Sequence, residues 1–162
     1  MNKLALSNKD LVKFLMFISR IFDRYKIAFL PFFTYITGIN KRDRIIILLN
    51  YFIFESLVMF LKNKLKTDRP CLGQEGCPMY YDIPSGHSFG GIYFYLLIKN
   101  RKYDENDSEF LKISRKIFLP ILGLQPIFRY LCNVHSVEAI ISGSFIAYMA
   151  VKSKYFIDSL IV

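Results

Sequence analysis

The chain has 162 residues, of which 53% are hydrophobic, with a positive mean hydropathy of +0.29 and a formal net charge of +9. A nucleic-acid-binding protein would share the positive charge but not the density of apolar runs, so that class is excluded. The combination predicts one membrane-embedded domain over residues 1–162, with cationic loops that meet anionic lipid headgroups.

Apolar segments separated by charged clusters predict six helices. They are Leu11–Phe22, Ile27–Thr37, Ile45–Leu61, Ser88–Ile98, Ile117–Phe128 and Val137–Val151. A spanning helix needs about 20 apolar residues, and only the third segment comes near that length alone. The other segments must borrow flanking residues. We therefore expect an all-α, integral-membrane six-helix bundle. The charges at Arg20, Asp23 and Arg24 leave open whether the first segment spans the membrane or lies along its surface.

Two polar connections join these segments. Lys99–Lys116 is typical of a solvated loop, and Lys62–Ile83 contains the turn-forming residues Gly73, Gly76 and two prolines. Cys71 and Cys77 lie in this second connection. A disulfide between them needs an oxidising compartment, and two reduced thiols are the alternative. Tyr155–Val162 is predicted to be a helical tail, because it is too short to span.

The only two histidines, His87 and His135, each stand at the edge of an apolar segment. Before His87, Ser85 or Gly86 can cap the fourth helix, and its free N–H groups favour an anion. With alternating helix direction, the polar helix ends meet on one side of the membrane. The residues gathered there are Lys62, Arg69, Ser85, Gly86, His87, Arg129 and His135.

This set has the chemistry of phosphoryl transfer. Two arginines and a lysine form a cage for a tetrahedral phosphate, since arginine offers paired donors to its oxygens. Two histidines supply a nucleophile and an acid. No motif with metal-ligand spacing is present, so we expect neither a metal nor another cofactor.

Lys62-x6-Arg69-Pro70, Pro84-Ser85-Gly86-His87 and Arg129-x5-His135 resemble the three signature motifs of the type 2 phosphatidic acid phosphatase superfamily. Gly143 also stands where that family usually has glycine. The resemblance covers roughly Ile45 to Val151. It implies a six-helix membrane bundle that hydrolyses a lipid phosphate or pyrophosphate without a metal. His135 would form a phospho-histidine, and His87 would protonate the leaving oxygen. The phosphate oxygens would be held by Lys62, Arg69, Ser85, Gly86 and Arg129.

One position departs from the family pattern. The family has an Asp four residues after the nucleophilic histidine, and this chain has Ala139. Glu138 is one residue earlier on the same helical face, and our hypothesis is that it orients His135 instead. The alternative is that Glu138 only sits favourably in the first turn of its helix. Tyr80, Tyr81 and Asp82 are assigned to the substrate entrance, although an interfacial tyrosine belt explains the tyrosines equally.

Two other functions stay open at this stage. Ala139 is compatible with a catalytically weak or silent relative that binds anionic lipid headgroups, and the resemblance also allows a lipid-to-lipid phosphotransferase. Under the six-helix topology, most of the 22 Lys and Arg residues lie on the side opposite the site. The positive-inside rule then places the active site on the periplasmic or exterior face of a multi-pass membrane protein. The sequence specifies neither the lipid nor the oligomeric state.

Overall fold

A computed structural model describes residues 29–73, 77, 81–101 and 107–161. The predicted helix Leu11–Phe22 lies outside these residues. The described residues form five helices and no strand. They are α1 (residues 29–37), α2 (Lys41–Leu65), α3 (Gly86–Asn100), α4 (Glu109–Leu131) and α5 (Val137–Leu160). The all-α class predicted from the sequence is therefore confirmed for this part of the chain.

Polar side chains fix where four of the helices begin. The residue before each helix accepts a hydrogen bond from a backbone N–H of the first turn. These N-caps are Asn40, Ser85, Ser108 and Ser136. The helix α2 ends at Lys66, which has a left-handed backbone with φ of 48°.

The structure corrects one predicted boundary. Lys99–Lys116 was expected to be a loop, but α3 continues to Asn100 and α4 begins at Glu109. The first two turns of α4 are polar in composition, yet they bury Leu111, Ser114 and Arg115. A hydropathy profile does not reveal these turns, because it scores a buried arginine as if the side chain were exposed to solvent. The tail after Tyr155 is a continuation of α5 through Leu160, as predicted.

The helix α3, which is the shortest of α2 to α5, lies at the centre of the bundle. It packs most extensively against α5 and α4, and α2 covers a further side. Aromatic rings fill the space between α1, α2 and α3, including Phe33, Tyr51, Phe89 and Phe94. The hydroxyl of Tyr93 donates to the Ile47 carbonyl at 3.0 Å. At 15 residues, α3 is roughly 22 Å long and is shorter than α2, α4 and α5.

Buried ion pairs join the helix ends opposite the histidines. Asp107 binds Arg101 at 3.0 Å and Arg115 at 2.5 Å, and Arg115 Nε also donates to the Ile36 carbonyl at 2.8 Å. These contacts tie the end of α1 to the end of α3 and the start of α4. The ammonium of Lys154 on α5 lies 2.6 Å from Asp43 at the start of α2. From α2 to α5, helices that follow one another in the chain therefore alternate in direction, as the predicted convergence of the polar ends requires.

Much of the outer surface of the bundle is apolar. On α2, Leu49, Phe52 and Ile53 are more than half exposed, and on α5 the same holds for Ile141 and Phe145. Within the described ranges, α2 is the one helix long and apolar enough to cross a membrane, and 28% of its most apolar stretch is buried. A contiguous exposed apolar surface of this kind marks contact with a partner or with lipid.

Candidate active site

His135 lies between α4 and α5 and is 1% exposed. Its Nδ1 is 2.6 Å from Asp82 Oδ1, and its Nε2 is 3.2 Å from a guanidinium nitrogen of Arg69. A guanidinium can only donate hydrogen bonds, so Nε2 must be the accepting nitrogen. The proton is then on Nδ1 and is donated to Asp82. The lone pair of Nε2 is thereby turned toward the cationic side of the site.

Asp82 is a buried carboxylate that holds this arrangement in place. Its second oxygen accepts the backbone N–H of Ser136 at 3.2 Å. Burial raises the pKa of Asp82, but hydrogen bonds from His135 and Ser136 outweigh this and hold the pKa below its usual value. The group is therefore ionised at neutral pH. A negative charge next to Nδ1 favours the same tautomer that Arg69 imposes at Nε2.

The imidazole itself is neutral at physiological pH. Burial lowers the pKa of His135 to about 4, against the opposing effect of the hydrogen bond to Asp82. The positive charges of Arg69, Arg129 and Lys62 lower it further. A neutral imidazole whose Nε2 carries no proton is the form of histidine that can act as a nucleophile, once a phosphate replaces His135 as the partner of the Arg69 guanidinium.

The predicted role of Glu138 is wrong. Glu138 is exposed in the first turn of α5, whereas the carboxylate on His135 Nδ1 comes from Asp82. Its position matches the alternative, a favourable charge near the helix N-terminus. Helical spacing after His135 points to Glu138, whereas Asp82 precedes His135 by 53 residues. One feature of the sequence indicates that Asp82 belongs to the site: it stands two residues before Pro84 of the second motif.

The structure brings the three predicted cations together around His135. Lys62, Arg69 and Arg129 come from three different parts of the chain, and each is at most 6% exposed. Besides His135, Arg69 binds the Val134 carbonyl at 3.2 Å, and Lys62 Nζ donates to the Tyr81 carbonyl at 3.0 Å. All three charges act on the His135 ring. Together they supply the positive surroundings that a phosphate dianion requires.

The segment Pro84–His87 packs directly against α5. The N–H of Ser85 donates to the Ala139 carbonyl at 2.8 Å. A Cβ at Gly143 would lie 2.3 Å from the Ser85 carbonyl oxygen, so glycine is required for this close approach. The centroids of the His87 and His135 rings are 6.2 Å apart. The two histidine rings therefore lie close together, where the start of α3 meets the start of α5.

Ser85 caps α3 and Gly86 is its first residue, next to His87. The Ser85 hydroxyl oxygen accepts from the Ser88 N–H at 3.2 Å and contacts the Ser88 hydroxyl at 3.0 Å. A Cβ at Gly86 would lie 3.8 Å from Glu55 Oε1, which places this carboxylate of α2 next to the second motif. Ser85 thus has a structural role as the helix cap, in addition to its predicted role in phosphate binding.

The connection before α3 is held at several points. The Thr67 carbonyl accepts from the Asp82 N–H at 2.9 Å, and its hydroxyl accepts from the Ile83 N–H at 3.0 Å. Cys71 and Cys77, which the sequence left open between a disulfide and free thiols, are joined by a disulfide. The connection that carries Asp82 to His135 is therefore held in place by hydrogen bonds to Thr67 and by a disulfide.

Comparison of the chain with protein-family models, with curated proteins and with solved structures finds no match.

Proposed function

We propose that this protein is a membrane-embedded phosphatase that removes phosphate from a lipid phosphate or pyrophosphate through a phospho-histidine. The observation that carries the proposal is the pair of contacts on His135, with Asp82 at Nδ1 and Arg69 at Nε2. They leave a neutral nucleophile aimed into a cluster of cations. The resemblance of the three motifs to the type 2 phosphatidic acid phosphatase superfamily supports the same reaction.

In the first step, Nε2 of His135 forms a bond to phosphorus, and the bond from phosphorus to the leaving oxygen breaks. Protonated His87 donates a proton to that oxygen. Lys62, Arg69 and Arg129 stabilise the charge on the phosphate oxygens, which is the main source of catalysis in phosphoryl transfer. Asp82 stabilises the positive charge that develops on the His135 ring.

In the second step, neutral His87 takes a proton from water. The resulting hydroxide attacks the phospho-histidine, the P–N bond breaks, and phosphate leaves. His135 is again neutral and His87 is again protonated, so the cycle closes. The three cations supply the positive charge that a metal ion supplies in other phosphatases, and for this reason we expect turnover without a metal.

A lipid substrate and a multi-pass topology are supported by the outer surface of the bundle. Large apolar side chains are exposed on α2, α4 and α5, where lipid tails would cover them. The excess of Lys and Arg at the opposite end supports a site on the non-cytoplasmic face. The Cys71–Cys77 disulfide agrees with an oxidising compartment on that side.

The silent lipid-binding alternative rested on Ala139, where the family has an acid. Asp82 provides a carboxylate to Nδ1 of His135, so Ala139 does not leave the ring without an orienting acid.

The test is phosphate release by protein purified in detergent, with EDTA present. The substrates are polyprenyl pyrophosphate, phosphatidylglycerophosphate, phosphatidic acid and lipid A, with His135→Ala as the inactive control. We expect release from at least one lipid and an acid-labile, base-stable phosphoryl label on the wild-type protein after rapid quenching. The label should be absent from His135→Ala. Folded protein that releases phosphate from no lipid and takes up no label would refute the proposal.

A further inference from the structure

A small apolar cavity opens beside His87. Its volume is about 50 Å³, and it lies between α1, α2, α3 and α4. Its walls include Phe33, Tyr51 and Phe94, and the end nearest the proposed chemistry is formed by Gly86 and His87. His135 is not among the residues that line it. The cavity therefore begins on the side of the site where the leaving group would depart.

We propose that this cavity receives the first part of a single, slender hydrocarbon chain of the substrate. The inference rests on the proposed function, in which His87 protonates the leaving oxygen. That oxygen belongs to the part of the substrate that carries the tail, so the tail must start at His87 and run away from His135. An apolar cavity that starts at His87 lies along that path.

The walls limit the cavity to one chain. The rings of Phe33 and Phe94 have centroids 5.3 Å apart, and those of Tyr51 and Phe94 are 5.4 Å apart. These rings belong to the central core of the bundle, so the space cannot widen without repacking the core. On α3, Gly86 and Gly90 are one turn apart and expose backbone to the cavity. A Cβ at Gly90 would lie 3.3 Å from the Tyr51 hydroxyl, so a larger residue there would narrow the space.

The consequence is a preference among substrates that share one phosphate headgroup. A linear alkyl or polyprenyl phosphate can place its chain in the cavity, whereas the branched glycerol of a two-chain phospholipid cannot enter. Each methylene that moves from water into the cavity should raise kcat/KM about fourfold. The gain should stop when the cavity is full, because further carbons reach lipid or detergent in any case.

The experiment uses n-alkyl phosphates from ethyl to octyl, which dissolve in water without a micelle of their own, and p-nitrophenyl phosphate as a chain-free substrate. We expect kcat/KM to rise with chain length and then level off. Dioctanoyl phosphatidic acid should be no better than octyl phosphate. A flat series, or a clear advantage for the two-chain lipid, overturns the inference.

Two matched variants test whether the rise of kcat/KM with chain length arises in this cavity. Leu30→Phe fills the cavity from α1, and Leu49→Phe makes the same change on the exposed face of α2. The first should flatten the chain-length series while it leaves p-nitrophenyl phosphate hydrolysis in place, and the second should change neither. Gly90→Ala provides a smaller obstruction if Leu30→Phe does not fold. Chain-length dependence that persists in a folded, active cavity variant refutes the inference, while hydrolysis of p-nitrophenyl phosphate that requires His135 keeps the phosphatase proposal standing. Folded protein that hydrolyses no ester refutes both.

Discussion

The sharpest prediction concerns Asp82→Asn. In the native site, one oxygen of Asp82 accepts from Nδ1 of His135 at 2.6 Å and the other accepts from the Ser136 N–H at 3.2 Å. Asparagine has only one oxygen to offer. If that oxygen stays with Ser136, the amide NH₂ faces Nδ1 and forces it to accept. The ring proton then moves to Nε2, which faces the donors of Arg69 and has no lone pair left to attack phosphorus.

The expected magnitude follows from the loss of the reactive tautomer. In a Ser-His-Asp triad the same substitution lowers kcat about 10⁴-fold by this mechanism. We expect a fall of about 10³- to 10⁴-fold in phosphate release, which corresponds to about 4 to 5.5 kcal/mol of activation free energy. The protein should still fold, because the substitution preserves size and shape.

The matched control is Glu138→Gln, which makes the same chemical change on the exposed acid in the first turn of α5. It should retain activity close to that of the wild type. The assay is steady-state phosphate release from the best substrate of the panel, with thermal unfolding in detergent to confirm folding. If Glu138→Gln loses activity and Asp82→Asn keeps it, the assignment of the orienting carboxylate is refuted.

Three further predictions test other parts of the site. Because burial and neighbouring cations lower the pKa of His135 to about 4, the neutral nucleophile exists above that value. In an NMR titration of the free protein, the His135 ring should therefore stay neutral as the pH falls toward about 4, and protonation near the ordinary value of 6.5 would contradict a desolvated ring. His87→Gln should slow alkyl phosphates about 10²- to 10⁴-fold. It should lower kcat/KM for p-nitrophenyl phosphate much less, because kcat/KM reports the first step alone and nitrophenolate leaves without a proton. An equal loss of kcat/KM on both substrates would argue against an acid role. Gly143→Ala should lower the unfolding free energy by about 1 to 3 kcal/mol and reduce activity, because its Cβ would meet the Ser85 carbonyl oxygen. The control Ser144→Ala should do neither.

Much of the candidate site could be predicted because its residues stand at helix ends. Lys62 and Arg129 close apolar segments, and His87 opens one, so alternating helices must bring them to the same side. The start of α4 could not be predicted, because its first turns are polar and become core only through the buried pair of Arg115 and Asp107. Hydropathy measures single residues and does not detect an ion pair that buries two charges at once.

The sequence assigns Asp82 to the substrate entrance and not to His135 for a related reason. A helix places residues at fixed spacing, so the periodicity after His135 points only to Glu138 and Ala139. Asp82 reaches His135 from another connection, and nothing in its local sequence gives that distance. The contact depends on the Thr67 hydrogen bonds and on the packing of Ser85 against α5. Tertiary contacts of this kind are absent from any periodic pattern along the chain.

The origin of the carboxylate has a consequence for how the two histidines are aligned. If the acid came from α5, it would fix His135 alone, independently of α3. Here Asp82 and His87 belong to one short segment, which Thr67 holds on one side and the Ala139 carbonyl holds on the other. A displacement of that segment therefore moves the proton partner of the nucleophile and the proton donor for the leaving oxygen together. In the proposed mechanism, misalignment should lower the rates of both steps at once, so we expect close packing at Gly143 to affect catalysis as well as stability.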